Sequence, residues 1–127
     1  MPHTYIWEPN GLLRKFIGKI EADEIIKSNL ELNEHPEFSK ISYIINDFSE
    51  VTRISVSEND TKVFALTDDV ISESKGKFNI AIIVSHDEQI ALAEAYRNQM
   101  KNRFYHCEIF RAFDDARNWV ESEKSKQ

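Results

Sequence analysis

The sequence predicts a single α/β domain with one mixed, mainly parallel sheet of about five strands, an N-terminal hairpin and about four helices. Three observations predict this fold class. Short β-branched apolar runs alternate with segments in which apolar residues recur every three or four positions. An Asn-Gly pair, a strong hairpin signal, lies between the first two runs, and the length of 127 residues suits one domain. The predicted order is β-β-α-β-α-β-α-β-α, with right-handed crossovers between the parallel strands.

Residues 5–8 and 12–20 predict the two strands of the hairpin. The turn between them falls on Pro9-Asn10-Gly11, because Asn and Gly tolerate positive φ. Residues 21–33 then predict a surface helix, whose inward stripe consists of Ala22, Ile25, Ile26, Asn29 and Leu30. His35-Pro36 is expected to end it, because the residue before a proline avoids the α region.

Residues 41–48 predict a central strand that is buried on both faces. A second helix is expected to start at Ser57, which serves as N-cap with Asp60 as the reciprocal acid of a capping box. Lys75-Gly76-Lys77 predicts the turn into a further buried strand over residues 78–84.

A second capping box, formed by Ser85 and Glu88, is expected to open the third helix. Residues 104–110 predict the last strand and residues 113–120 the last helix. The tail from about Glu121 is expected to fray, and the whole chain, 1–127, is interpreted as one domain.

Composition excludes several classes of function. Hydrophobic residues make up 41% and charged residues 30% of the chain, which argues against disorder and against a membrane-spanning body. The net charge of −6 disfavours a broad nucleic-acid surface. The single cysteine, Cys107, cannot form an intrachain disulfide. The first residues lack the basic and apolar pattern of a secretory signal, so a cytoplasmic location is expected.

Polar residues follow the predicted parallel strands, where ligands gather in open α/β sheets. Five of them form a candidate interaction or ligand edge: Asp47, Ser49, Ser85, His86 and Arg111. The position of Asp47 invites comparison with phospho-accepting receiver domains. Those domains carry an acidic pair after their first strand and a lysine at the end of their last strand. This chain has Ile20-Glu21 and Phe110-Arg111 there, which match poorly. We therefore expect Asp47 to hydrogen-bond the backbone that follows it.

No assembled catalytic set is evident. The consecutive residues Ser85-His86-Asp87 cannot form a relay from one helix start, because their side chains point in different directions. The four histidines show no i, i+4 pairing, so no metal is expected. The three glycines are too far apart to build a phosphate-binding loop, so no cofactor is implied. Cys107 is interpreted as a small core residue, facing away from His106.

Two segments carry a family resemblance. Residues 43–52, YIINDFSEVT, form an aliphatic strand that ends in Asp-Phe-Ser, and residues 110–120, FRAFDDARNWV, close the chain on Ala-x-x-Trp-Val. Together they resemble the STAS domain, named for sulfate transporters and anti-sigma-factor antagonists, and in particular its compact stand-alone bacterial members. The resemblance extends from the first hairpin to Val120.

In STAS antagonists a partner kinase phosphorylates the second serine of an Asp-Ser-Ser-Gly segment at a helix start. The resemblance places this segment on Ser55-Val56-Ser57-Glu58, where three of the four positions depart from the motif. Ser57 is therefore both a candidate phosphorylation site and, on its residue pattern alone, an ordinary helix N-cap.

The resemblance implies a non-catalytic regulatory or protein-interaction module that binds a partner protein or forms a homodimer. The hairpin aromatics Tyr5, Trp7 and Phe16 are candidates for this contact or for the core. The alternative is a carrier of a small apolar ligand, because the architecture is also similar to lipid-binding CRAL-TRIO domains. Five aromatic residues are candidates to line such a cavity: Phe48, Phe64, Phe104, Tyr105 and Phe113. A third hypothesis, an enzyme that uses Asp47 or His86, lacks a second group.

Overall fold

A computed structural model of the chain describes residues 3–75, 78–99 and 105–125. They form five strands and four α-helices in the predicted order, so the fold class is confirmed. The strands are β1 (His3–Trp7), β2 (Gly11–Glu21), β3 (Tyr43–Ser55), β4 (Phe78–Ile83) and β5 (Tyr105–Phe110). The helices are α1 (Ala22–Glu34), α2 (Glu58–Lys75), α3 (Asp87–Gln99) and α4 (Phe113–Ser125), with a short 3₁₀ helix at Pro36–Lys40.

The five strands lie side by side in the order of the sequence. β1 runs antiparallel to β2, and the pairs β2–β3, β3–β4 and β4–β5 are parallel. Right-handed crossovers between such successive parallel strands bring α1, α2 and α3 to the same face. α4 follows the last strand and packs against β3, β4 and β5 from the other face. The prediction of a central β3 is confirmed.

The alternation of side chains along the strands supplies a core to each face. The larger core lies under α1, α2 and α3 and includes Leu12, Phe16, Ile44, Ile80 and Phe64. The smaller core lies under α4 and consists of Tyr43, Ile45, Ala81, Ile83, Ala116 and Val120. Cys107 is buried and His106 exposed, so these neighbours face opposite sides as predicted.

The turn of the hairpin differs from its prediction. Backbone hydrogen bonds between Glu8 and Gly11 close it around Pro9 and Asn10. Among the described residues only Gly18 has a positive φ, so the expectation that Asn10 and Gly11 use positive φ is wrong. Proline at the second turn position holds φ negative there. Gly11 is required for space instead, because a Cβ on it would fall 2.2 Å from Cζ of Tyr43.

A polar cluster joins the hairpin turn to α4. The guanidinium of Arg117 donates to both carboxylate oxygens of Glu8, at 2.7 Å each, in the bidentate geometry of a strong ion pair. The hydroxyl of Tyr43 also donates to Glu8. Burial and the hydrogen bond to the Glu8 carboxylate raise the pKa of Tyr43 to about 12. The hydrogen bond to Glu8 raises the pKa of Arg117 as well.

β3 is longer than predicted and runs from Tyr43 to Ser55 rather than over residues 41–48. Beyond Asp47 it continues beside β2, with register irregularities between Lys15 and Ile17 and between Gly18 and Lys19. The left-handed φ of Gly18, 77°, lies at the second irregularity. The half of β3 beyond Asp47 contains exposed polar residues, so a prediction that relies on apolar runs does not detect it.

The helical segments differ from the prediction after α1, at the start of α3 and at the end of α4. His35 ends α1 as expected, but a 3₁₀ helix follows it. The predicted capping box pairs Ser85 with Glu88, but in the structure Ser85 hydrogen-bonds Gln89 instead. The backbone N–H of Ser85 donates to the buried side chain of Gln89, at 2.9 Å, and α3 begins at Asp87. α4 continues through Glu121 to Ser125. None of the described helices is long and apolar enough to cross a membrane.

Replacing Gly11 by alanine is expected to lower the free energy of unfolding by about 1–3 kcal/mol, the usual cost of overfilling a core. The Tyr43 ring cannot move aside without breaking the hydrogen bonds that its hydroxyl forms with Glu8 and Arg117. Urea unfolding followed by circular dichroism measures the effect. In a Tyr43→Leu background, which lacks the ring, the same change should cost much less; an equal cost in both backgrounds would contradict the explanation.

The raised pKa of Tyr43 predicts a loss of stability in alkaline solution. Below the unfolded value of 10.0 the hydroxyl is protonated in both states, and the stabilisation is complete. Between pH 10.0 and about 12 the unfolded chain releases the proton while the folded chain keeps it. Stability should therefore fall as pH rises, by at most about 1.4 kcal/mol per pH unit. Urea unfolding across this range should give a shallower loss for Tyr43→Phe; parallel curves would refute the assignment.

Candidate functional site

A pocket lies between the sheet and the three helices α1, α2 and α3. Its volume is about 80 Å³, several times the roughly 10–15 Å³ that one water needs. Most of its wall is apolar, and five polar side chains interrupt it. The lining residues are Arg14, Ile25, Asn29, Asn46, Phe48, Ile54, Val56, Thr61, Phe64, Ile82, Val84, Gln89, Leu92, Ala93 and Tyr96.

Arg14 places a positive charge in this wall. It follows Leu12 on the inward face of β2 and precedes Phe16, so the alternation of the strand directs it into the core, and it is 5% exposed. Its backbone neighbour on β3 is Asn46, whose side-chain oxygen accepts a hydrogen bond from Nε of Arg14 at 2.8 Å. The guanidinium carbon also lies 5.1 Å from the centre of the Phe16 ring.

Two residues of α1 complete the surroundings of this charge. Nη1 of Arg14 donates to Oγ of Ser28 at 2.9 Å and to the side-chain oxygen of Asn29 at 2.8 Å. Both α1 residues are buried, because they occupy the stripe of the helix that faces the sheet. Arg14 therefore connects β2, β3 and α1 through hydrogen bonds.

Behind Ser28 the polar contacts continue to the start of the chain. The hydroxyl of Tyr5 lies 2.8 Å from Oγ of Ser28 and donates to Glu31 at 3.2 Å. Burial, more than any other cause, raises the pKa of Tyr5. His3, also buried, has its ring nitrogens 3.4 Å from a carboxylate oxygen of Glu24 and 3.7 Å from one of Glu31. This chain of contacts secures α1 to β1.

At the other end of the pocket the polar side chains bond to backbone. Nε2 of Gln89 donates to the carbonyl of Val51 at 3.4 Å, and its Oε1 accepts from Ser85. The hydroxyl of Thr61 donates to the carbonyl of Glu58. The Gln89 bond thus joins α3 to β3, whereas the Thr61 bond stays within the first turn of α2.

The structure brings only some of the predicted edge residues to strand ends: Ser85, His86 and Arg111 follow β4 and β5, but Asp47 and Ser49 lie within β3, which continues to Ser55, so the expectation that they follow a strand is wrong. Asp47 is buried and accepts a hydrogen bond from the backbone N–H of Ser49 at 2.8 Å, as expected for a structural role. Ser49 itself is exposed. Asp47 lies beside Ile83 of β4, so this carboxylate is one strand away from the start of α3.

Ser85, His86 and Arg111 lie at the ends of the next two strands and are exposed. Arg111 reaches Asp87, with 3.6 Å between nitrogen and oxygen, whereas Ser85 contacts Gln89. The Ser-His-Asp residues therefore engage different partners, and no relay forms. Within residues 3–75, 78–99 and 105–125, no three His, Cys, Asp or Glu side chains come together as a metal site.

Ser57 caps α2 as predicted. Its Oγ accepts a hydrogen bond from the backbone N–H of Asp60 at 3.1 Å, and the Asp60 carboxylate accepts from the N–H of Ser57 at 2.8 Å. This reciprocal pair is a complete capping box on the surface. The next-door residue Val56 lines the pocket, so the cap lies just outside the pocket.

The aromatic residues proposed to line a cavity divide between the two faces. Phe48 and Phe64 line the pocket. Phe113 belongs to α4 on the other face, where Arg117 lies over its ring. Phe104 and the side chain of Tyr105 lie outside the described residues. Of the hairpin aromatics, Tyr5 and Trp7 are partly buried and pack against the core and Phe16 is fully buried, which agrees with the core alternative of the prediction.

Sequence reasoning did not single out Arg14, Asn46 or Gln89, and it placed Asn29 on the inward stripe of α1 without a role in a site. The sequence does contain a signal for Arg14 and Asn46. Arg14 interrupts the inward positions of an apolar strand, and Asn46 follows the apolar run Ile44-Ile45. A polar residue at a core position needs a partner, and the two lie opposite each other once β2 and β3 pair.

Comparison with known proteins identifies the class that shares this architecture. The fold is that of the SpoIIAA-like anti-sigma-factor antagonists, the STAS fold. No protein-family model matches the sequence, and no curated protein matches it.

Three solved structures are similar in fold to this chain. The anti-sigma factor antagonist SpoIIAA in its unphosphorylated form has a TM-score of 0.62 and 7% identity, over 94% of this chain and 97% of that one. An antagonist from Mycobacterium paratuberculosis has a TM-score of 0.59 and 13% identity, over 94% and 92%. An uncharacterized DUF3478-family protein with a SpoIIAA-like fold, from Shewanella loihica PV-4, has a TM-score of 0.53 and 19% identity, over 93% and 91%.

Replacing Ser57 by alanine is expected to lower the free energy of unfolding by about 1 kcal/mol, because the N–H of Asp60 loses its acceptor. Thermal and urea unfolding measure the change. Ser55→Ala, at the exposed end of β3, is the matched control and should stay within about 0.5 kcal/mol of the parent. Equal stability of both variants would show that the cap contributes nothing.

Proposed function

We propose that this protein is a non-catalytic regulatory module of the STAS type, which acts in the cytoplasm by binding another protein molecule. The fold it shares with anti-sigma-factor antagonists supports this role. So do the candidate catalytic groups, because Asp47, Ser57 and Ser85 each hold backbone or a neighbouring side chain in place. The observation that carries the proposal is an uncovered apolar face on the hairpin.

This hairpin face consists of Thr4, Ile6, Leu13, Lys15 and Ile17, which lie on the α4 side of β1 and β2. α4 packs mainly on β3, β4 and β5, and of β2 it shares the packing of Leu13, which contacts the core beneath this helix. Ile6 is 52% and Ile17 is 42% exposed, although both lie in the middle of strands. Apolar side chains that cluster on an open sheet face are typical of contact sites.

We propose a second copy of the chain as the occupant of the hairpin face. Lys15, which lies in this face between Leu13 and Ile17, forms a 3.1 Å ion pair with Glu50, and both side chains are partly exposed. A two-fold axis brings the same patch together twice, so Lys15 of each copy can pair with Glu50 of the other. The face thus offers a second copy apolar side chains on both sides of a pair of complementary charges.

We assign Ser57 the role of helix cap rather than of a phosphorylated switch. A phosphate on its hydroxyl would face the carboxylate of Asp60, which the backbone N–H of Ser57 holds close by. The negative charges of the phosphate and of the Asp60 carboxylate would repel each other, which disfavours phosphorylation of Ser57. The departure of the neighbouring residues from the antagonist motif agrees with this assignment.

A second function, carriage of a small apolar ligand, is favoured by the pocket under α1, α2 and α3. Protein interiors seldom leave apolar space of this size unfilled, and Phe48 and Phe64 border it as the sequence suggested. A carrier and a regulator are compatible, because the pocket and the hairpin face lie on opposite sides of the sheet. Ligand occupancy and partner contact can therefore be tested separately.

The homodimer is tested by sedimentation equilibrium from micromolar to submillimolar concentration. The parent chain is expected to self-associate, and Ile6→Asp should weaken this association at least about tenfold by burying a charge in the contact. Leu66→Asp is the matched control. Leu66 is an exposed leucine, 65% accessible, on α2 across the sheet, and its replacement should leave association unchanged.

Each result decides a separate part of the proposal. A parent chain that stays monomeric throughout overturns the homodimer. Dissociation by Leu66→Asp but not by Ile6→Asp overturns the hairpin face as the contact. Capture experiments with both variants then test a partner protein: loss of a captured partner with Ile6→Asp alone would support the interaction role through the same face.

A further inference from the structure

The two longest strands continue beyond the rest of the sheet. In the part of the chain that the structure describes, β3 pairs with β4 only as far as Asp47, and β2 pairs with β1 only as far as Phe16. The pairing of β2 with β3 continues to the ends of both strands. Residues 17–21 and 50–55 therefore form a two-stranded ribbon, which we call the β2–β3 ribbon.

One side of the β2–β3 ribbon belongs to the core and the other side is open. Ile20 is part of the larger core and Ile54 packs against it. Their neighbours along the strands, Lys19 and Arg53, therefore face the opposite side, where both are exposed. Ile17, a member of the hairpin face, lies on this open side too and is 42% exposed.

Two positive charges oppose each other on the open side. Lys19 and Arg53 are register partners across β2 and β3, so their side chains are neighbours on one face. Like charges in this position destabilise a sheet. Glu50 is bound to Lys15 at 3.1 Å, and neither Lys19 nor Arg53 forms an ion pair within residues 3–75, 78–99 and 105–125.

This opposition is unusual for a chain with such a composition. The sequence has 22 Asp and Glu residues against 16 Lys and Arg residues, so negative partners are in excess. Lys15, on the same strand as Lys19, does have such a partner. Local conflicts of this kind are retained mainly at functional sites, where a ligand resolves them.

We propose that the open side of the β2–β3 ribbon binds an extended acidic segment of a partner protein. Carboxylates two residues apart on an extended segment face the same side, roughly 7 Å from each other. Lys19 and Arg53 lie on adjacent strands, which are roughly 5 Å apart, so one carboxylate reaches each cation. An apolar side chain of the same segment packs against Ile17.

The inference rests on the interaction role proposed above and deepens it by naming the chemistry of a partner. Charge complementarity selects this occupant, because two carboxylates neutralise both cations and remove the repulsion between them. The net charge of −6 repels nucleic acids and anionic membranes, and two cations are few against such polyanions. A short segment with two acids matches the charge of the site.

The test measures the affinity of synthetic peptides for the full chain by microscale thermophoresis. The acidic peptide has a leucine followed, two and four positions later, by glutamates, and the neutral peptide has glutamines in place of both glutamates. The labelled chain is kept at nanomolar concentration, so that a second copy does not compete for Ile17. We expect the acidic peptide to bind at least about fivefold more tightly in low salt. This preference should shrink in high salt, which screens exposed charges.

Variants locate the contact on the ribbon. The double variant Lys19→Gln with Arg53→Gln should bind the acidic peptide no better than the neutral one. Lys27→Gln with Lys62→Gln is the matched control, because it removes two exposed cations from α1 and α2, on the other side of the sheet, and gives the same net charge. This control should keep the preference. Charge reversal, Lys19→Glu with Arg53→Glu, should favour a peptide with lysines in place of the glutamates. Circular dichroism establishes that each variant is folded.

Each outcome decides for or against the inference. Equal affinity of the parent chain for the acidic and neutral peptides overturns it, and so does failure of both to bind. An equal loss in the ribbon variant and in the matched control shows that net charge alone acts, which overturns the ribbon as the site. Tighter binding to phosphatidylserine vesicles than to the acidic peptide, lost in the ribbon variant, overturns the protein partner in favour of a membrane.

The homodimer is decided separately. A parent chain that stays monomeric in sedimentation but prefers the acidic peptide through Lys19 and Arg53 overturns the homodimer and supports this inference. A parent chain that self-associates through Ile6 but shows no preference for the acidic peptide does the reverse.

Discussion

The right-handed crossover between successive parallel strands is the constraint on which the rest of this molecule depends. Because the strands follow one another across the sheet, three crossover helices have to share one face, and only α4 is left for the other. The crowded face encloses a pocket between its helices and the sheet. The other face leaves Ile6 of β1 and Ile17 of β2 exposed. Both candidate binding regions are thus consequences of strand order, before any particular side chain is considered.

The buried charge of Arg14 gives the crowded face its chemical character. Removing a guanidinium from water costs several kcal/mol, which hydrogen bonds from β3 and α1 offset in part. An apolar residue of similar size would pack at lower cost, so the arginine is hard to explain by stability alone.

The fold was largely predictable because its signals are local. The β-branched run at residues 78–84 and the capping box of Ser57 and Asp60 both lie within short windows, and the structure has a strand and a helix start there. The second half of β3 was not predictable in this way, because residues such as Glu50 and Arg53 pair with β2 while their side chains are exposed. The partner of Ser85 was missed for a related reason: burial selected Gln89 over the neighbouring Glu88. The pocket itself depends on Arg14 and Asn46 meeting across strands, and no single window contains both residues.

The ion pair between Glu8 and Arg117 has a consequence for how the chain reaches this structure. The two residues are 109 positions apart, so their contact closes one of the longest loops available to the molecule. During synthesis the hairpin leaves the ribosome long before the helix that holds its turn. The ion pair that holds the hairpin turn therefore cannot form until almost the entire polypeptide has emerged from the ribosome.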